Sequence, residues 1–317
     1  MYKNIVSNHF TKVLFFLSIF VFQEVYAKIL IMVPVFNRPE FIDFQCRTFK
    51  KFLLDEYELV FFNDANDAKI QQQIEQMCVK YGVACVRVPQ NLHNIDPNCH
   101  KAVASFRHGE VLTYIFENYG FKHNDIVAIF DSDMFLINPF SIREYLGEND
   151  LNSWNGNILT HFGLFNIPKL MLKDFQTVKF RARYLSNGEF RDVGHDATIE
   201  YIAPRRAACL NIKQTNLVWG LHRKADCDLN LDPAVDRVVA LQNRGYSPRE
   251  IQLICSIYEV AEKHGNTGRV LMDCNIALYE KNIVLDYKHG SGWHDPNATY
   301  KAAKDKIVTA FLNDILN

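Results

Sequence analysis

The sequence has no block of basic residues. Its 35 Lys and Arg nearly balance 36 Asp and Glu, for a formal net charge of −1. A nucleic-acid partner calls for a positive patch or stripe, so composition gives no support for one. Cys-x-x-Cys pairs are also missing. The eight cysteines, Cys46, Cys78, Cys85, Cys99, Cys209, Cys227, Cys255 and Cys274, are widely spaced. That spacing argues against zinc and suits small buried apolar residues, while the even count permits disulfides in an exported chain. Internal repeats and low-complexity tracts are absent. With 48% hydrophobic and 22% charged residues, the 317-residue chain reads as globular, long enough for one large α/β domain or two small ones.

At the amino terminus the apolar run is short for a membrane span. Lys3 and Lys12 precede Val13-Leu-Phe-Phe-Leu-Ser-Ile-Phe-Val-Phe22, and Val25-Tyr26-Ala27 follows. A basic flank, a short apolar core and a small-residue site make a signal peptide. A retained signal-anchor and a buried amino-terminal helix compete with it. The expectation is an export or anchor segment at 1–27 and one domain at 28–317. Location is then the secretory pathway or a membrane surface, with the cytoplasm not excluded. The first strand starts at Lys28, so cleavage leaves no spare residues.

What is present centres on residues 126–140. Ile126-Val-Ala-Ile-Phe130 is apolar without alternation and is followed by Asp131-Ser132-Asp133. The run suits a strand buried on both faces, as in a parallel sheet covered by helices. Two carboxylates in its core would carry a large desolvation cost, so they belong at its carboxyl end, in the ligand crevice of an open α/β sheet. In an extended chain Asp131 and Asp133 point to one side. Paired oxygen ligands suit a hard divalent cation that also takes phosphate oxygens. The alternative is a strand ending in an acidic turn.

Other segments supply the rest of such a sheet. Lys28–Phe36 is a first buried strand, broken by Asn37-Arg38-Pro39, and a helix follows from about Glu40 to Leu54. Residues 58–62 make a second strand ending at Asn63-Asp64-Ala65-Asn66-Asp67, and 83–88 a third. Helices are expected from Ser105 to about Asn118, over Ile142–Leu146, from Pro248 to Gly265 behind a Ser247/Glu250 capping box, and over Ala302–Leu316. Trp154–Asn166 reads as strands at a cleft wall, and Ile283–Tyr287 as a late strand.

An apolar strand ending in Asp-x-Asp resembles the signature of GT-A fold glycosyltransferases. The opening Pro34-Val-Phe-Asn37-Arg38 and the strand-end Asp64 resemble the same family. The resemblance spans about residues 28–295 and is looser after 200. It implies an α/β fold with a mostly parallel, twisted, helix-covered sheet. It also implies a metal-dependent, hexosyltransferase-like enzyme moving a sugar from a nucleotide-diphosphate donor to a glycan, lipid or protein acceptor. Pro34, Asn37, Arg38, Asp64, Arg107, His108, Asp131 and Ser132 would face the donor. Asp131, Asp133 and His289 would hold Mn²⁺ (or Mg²⁺). Imidazole tilts the choice toward Mn²⁺, and His294 competes with His289. Val193-Gly194-His195-Asp196 resembles the Gly-Glu-Asp turn of inverting members, with His in place of Glu; the resemblance implies Asp196 as catalytic base and inversion, with retention open if Asp196 is not the base. Each position has a plainer alternative: helix capping for Asp64, Asp67 and Asp196, a solvated helix face for Arg107 and His108, and a Gly-rich turn for His289. Arg205 and Arg206 are open between phosphate and no ligand. Trp154 is open between a sugar ring and the core. Two other functions compete: carbohydrate binding on a degenerate transferase fold, and a haloacid-dehalogenase-like phosphatase. The second also uses Asp-x-Asp, but needs it on the first strand, with Thr or Val soon after.

Overall fold

The computed structural model describes residues 27–93, 103–206, 209–219, 235–243, 245–263, 277–279, 283–287 and 298–317. The amino-terminal export segment, His289 and His294 lie outside the described residues.

Chain order alternates strand and helix through the first half: β1 (Ile29–Val35), α1 (Glu40–Phe52), β2 (Tyr57–Asn63), α2 (Ala68–Tyr81), β3 (Ala84–Arg87), α3 (Val103–Asn118) and β4 (Ile126–Phe130). These strands lie in the order β4-β1-β2-β3, all parallel. Their apolar runs are continuous because both faces are covered. Ile31, Val33, Phe61, Ala128 and Phe130 pack with Ile42, Phe49 and Ile74 on one side of the sheet. Met32, Val60, Phe62, Val127 and Ile129 pack with Val111, Leu112, Ile115 and Phe116 of α3 on the other. Each such side chain contributes about 1.5–3 kcal/mol when fully buried.

The expected α/β fold with a largely parallel, helix-covered sheet is the one observed. The far half departs from it. After β5 (Met134–Leu136) and α4 (Ile142–Leu146), β6 (Leu151–Trp154), β7 (Asn157–Ile158) and β8 (Phe162–Asn166) follow. Strand β8 joins β4 antiparallel, and the main sheet extends through β6 to β11 (Ile212–Gln214). Between them run α5 (Ile167–Met171) and a hairpin of β9 (Arg183–Tyr184) and β10 (Phe190–Arg191).

A second, antiparallel sheet escapes sequence reading. It runs β12 (Leu217–Trp219), β13 (Ala277–Tyr279), β14 (Val284–Asp286), β5. Three helices complete the described chain: α6 (Val235–Asn243), α7 (Pro248–Lys263) and α8 (Ala298–Leu316). Phe135 and Leu285 of the small sheet, with Tyr287 just after it, meet Phe41 and Phe44 of α1, Ile254 of α7 and Leu312 of α8 in one apolar cluster. The capping box forms as expected: Ser247 N–H donates to Glu250 Oε2 at 2.8 Å, and Glu250 N–H donates to Ser247 Oγ at 3.4 Å.

Gly109 is where α3 touches the segment leading into the hairpin. A Cβ there would lie 2.8 Å from the Phe180 carbonyl oxygen and 3.0 Å from the Ala182 nitrogen. Gly→Ala inside a helix ordinarily stabilises by about 1 kcal/mol. Gly109→Ala is expected to have the opposite sign, a loss of roughly 1–3 kcal/mol, because backbone atoms cannot rotate away. Urea denaturation measures it, and a stabilised mutant would show that this contact relaxes.

Candidate active site

The carboxyl ends of β1, β2 and β4 open onto a cavity of ≈ 720 Å³. Its lining includes Pro34 near the end of β1 and Phe36 after it, Asp64 after β2, Asp131, Ser132 and Asp133 after β4, and Asp286 at the end of β14. Helix α3 contributes Ser105, Arg107 and His108, and the β6–β8 region contributes Trp154, Thr160 and His161. Asp192, Val193, Gly194, His195 and Thr198 form a further part of the wall.

The acidic turn is shaped by its backbone. Asp131 N–H donates to the His161 carbonyl at 3.0 Å, and Met134 N–H donates back to the Asp131 carbonyl at 3.1 Å. The buried Gln45 amide of α1 donates to the Asp131 and Met134 carbonyls at 2.8 and 3.1 Å. Tyr287 N–H donates to the Asp133 carbonyl at 2.9 Å, so the small sheet holds the turn from its other side. Asp133 is buried and Asp131 is half-buried. His108 Nε2 stands 3.6 Å from Asp131 Oδ1. Burial pushes the His108 pKa below its ordinary value, against the pull of Asp192, the Thr160 carbonyl and Asp64.

Asp64 is buried at the strand end and is not the helix cap. That role falls to Asp67, whose side chain accepts from Ile70 N–H at 2.9 Å. Asp64 instead accepts from Arg107 Nε at 2.6 Å and meets His93 Nε2 at 2.7 Å. The guanidinium of Arg107 also lies 4.6 Å over the Phe36 ring and donates to Gln90 Oε1 at 3.1 Å. Arg107 therefore sits on the cavity wall with its donors directed largely at Asp64 and Gln90.

Asn37 and Arg38 are not in the cavity lining. Arg38 pairs with Glu40, donates to Asp305 of α8 at 3.2 Å and lies over the Phe41 ring. Asp196 is likewise outside the lining. It opens a π-helical stretch, Ala197–Ile202, without capping it. Its Oδ1 accepts from Arg191 Nη1 at 3.0 Å and its Oδ2 pairs with Arg183 Nε. The carboxylate expected to face an acceptor is thus held between two arginines, Arg183 and Arg191.

Two residues that the sequence reading passed over stand on the wall. Asp286 is 3% exposed, and its register partner is Met134 beside the acidic turn. The available signal was a single carboxylate in an otherwise apolar strand. Asp192 carried no signal beyond its charge. Among the described residues, no three His, Cys, Asp or Glu side chains form a group able to hold a metal ion. The expected burial of the cysteines holds for two of the five described: Cys85 and Cys255 are half-buried and Cys209 is exposed. Cys46 and Cys78 are buried, and burial pushes the Cys46 thiol up to about 12, which leaves it unreactive at neutral pH.

No family model and no curated protein matches the sequence. Solved structures do. One is glucosyl-3-phosphoglycerate synthase from Mycobacterium tuberculosis, in complex with Mn²⁺, uridine diphosphate and glucosyl-3-phosphoglycerate. It shares 15% identity over 59% of this chain and 68% of its own, with a TM-score of 0.33. Core-mannan synthase A from Aspergillus fumigatus, in an Mn/GDP form, shares 6% identity over 49% of this chain and 64% of its own, with a TM-score of 0.34. Likenesses this low transfer no residue's role.

Proposed function

We propose that the chain is a glycosyltransferase of GT-A type, moving a sugar from a nucleoside-diphosphate donor to an acceptor hydroxyl with inversion. One observation carries this reading. The Asp131–Asp133 pair ends the central strand β4 inside a cavity that also takes in Asp64 at the end of β2. Ligands of open α/β sheets bind at these strand ends.

The carboxylates of Asp131 and Asp133 are hard oxygen donors of the kind that bind Mg²⁺ or Mn²⁺ beside phosphates. Asp133, only 8% exposed, and the neighbouring buried Asp286 suit a cationic guest better than an anion alone. A bound divalent cation would supply charge to the departing diphosphate. Phe36 offers a flat apolar surface beside Asp64, whose carboxylate can accept from a base N–H if Arg107 or His93 yields. Trp154, half-buried on the wall, offers a ring face for the sugar. The acceptor would be a glycan, a lipid or a protein hydroxyl, reached from the Asp192–Thr198 side.

Incubating the protein with UDP- and GDP-sugars tests the reading. Hydrolysis or transfer is expected from one donor class, only with Mn²⁺ or Mg²⁺ present. Turnover of none, together with no Mn²⁺-dependent binding of UDP or GDP, would end it. Release of phosphate from simple phosphomonoesters would favour the phosphatase instead.

A further inference from the structure

Hairpin β9–β10 has two unlike faces. Tyr184 pairs with Phe190 and Arg183 with Arg191. Paired residues share a face of a ribbon, so aromatics lie on one side and guanidinium groups on the other. The aromatic side meets α3: Phe106 is 6.0 Å from Tyr184 and 6.0 Å from Phe190, ring centre to ring centre. The arginine side closes on Asp196, and Arg183 Nη2 reaches Glu200 at 2.7 Å as well. The ribbon thus bridges α3 and the start of the π-helical stretch, two elements that both supply cavity wall.

Asp196 meets the requirements of a fastener and not those of a base. It is 7% exposed, lies off the cavity and has each oxygen against a guanidinium. A general base must come within hydrogen-bond reach of the proton it takes. Asp192 directly follows Arg191 and is exposed on the cavity wall. Its Oδ1 accepts from Val193 N–H at 2.7 Å, while its Oδ2 accepts no hydrogen bond among the described residues. One oxygen is oriented by the backbone and the other is available.

We propose that Asp192 takes the acceptor's proton and that Asp196 is a positioning residue, fixing Asp192 through Arg191 and the hairpin. This rests on the glycosyl-transfer reading. In the step, the acceptor O–H gives its proton to the Asp192 carboxylate and its oxygen bonds the anomeric carbon. The bond from that carbon to the diphosphate breaks, and its electron pair leaves with the nucleoside diphosphate.

The test compares Asp192→Asn and Asp196→Asn in the full chain. It reads donor and acceptor kinetics across pH and hydrogen exchange of residues 183–191. Asp192→Asn is expected to lower kcat on the order of a hundredfold, leave donor KM unchanged and remove the acid limb of the pH profile, with hairpin exchange as in the parent. Asp196→Asn is expected to speed hairpin exchange at least tenfold and raise acceptor KM more than it lowers kcat, with the acid limb kept. If Asp196→Asn does not fold, Arg183→Gln reads the same fastening from the exposed side. Two results would overturn the proposal: near-normal turnover in Asp192→Asn, or loss of the acid limb in Asp196→Asn with unchanged hairpin exchange. A parent protein that neither binds UDP or GDP with Mn²⁺ nor consumes any nucleotide sugar defeats the transferase reading and the role of Asp192 together. Hairpin exchange still decides the role of Asp196 in that case.

Discussion

Replacing Asp133 by Asn is expected to cut cation-dependent turnover by roughly a thousandfold while the protein melts within a few degrees of the parent. The turn that carries Asp133 is held by main-chain contacts: its carbonyl accepts from Tyr287 N–H, and the neighbouring carbonyls of Asp131 and Met134 accept from Gln45. None of these needs the carboxylate. Asn keeps the size of the side chain and removes its charge. Raising the metal concentration is expected to restore part of the binding, because Asp131 remains. Metal titrations of nucleoside-diphosphate binding and of turnover measure both effects. Near-normal turnover with Mn²⁺ still required would take Asp133 out of the site.

Arg107→Ala is expected to have the largest effect on stability, a loss of roughly 3–5 kcal/mol. Its side chain is 11% exposed and that of Asp64 is 6% exposed, so truncation strands a charge in a poorly hydrated place. His93, at 2.7 Å, compensates only when its Nε2 carries a proton. The double variant Arg107→Met/Asp64→Asn is expected to recover much of the loss, because no buried charge is then left unpaired. Guanidinium denaturation of the single and double variants gives the comparison. A single variant within 1 kcal/mol of the parent would mean that Asp64 is hydrated or otherwise neutralised, contrary to its burial.

The parts legible in the sequence are those governed by neighbours along the chain. The continuous runs in β1, β2 and β4 announce strands covered on both faces, and Asp131 and Asp133 stand at a strand end because a covered strand excludes them. Helix α7 declares itself through Ser247, Pro248 and Glu250. The parts that escape depend on distant partners. Arg107 reaches Asp64 from 43 positions away, and nothing local to either distinguishes an ion pair from two ligand contacts. Asp196 has the look of a helix opener in its own segment, yet Arg183 and Arg191 fold back to claim it. The hairpin strands are two residues long, and β5 and β13 are three, too short for any period to register. Asp286 becomes a cavity residue only once β14 is known to pair with β5.

Strand β5 continues directly from the acidic turn, so the turn ends one strand in the large sheet and begins another in the small one. From Asp133 a line of contacts leads to Tyr287, whose hydroxyl donates to Asp305 of α8 at 2.8 Å, and on to Arg38 behind β1. The backbone of the acidic turn is thus linked through two hydrogen bonds to the last helix, although more than 160 residues separate them along the chain. Shortening the protein by that helix would slacken the turn as well as expose apolar surface. Loss of ligand affinity and loss of the carboxyl-terminal fold would then arrive as a single event, with the free energy of one drawn from the other.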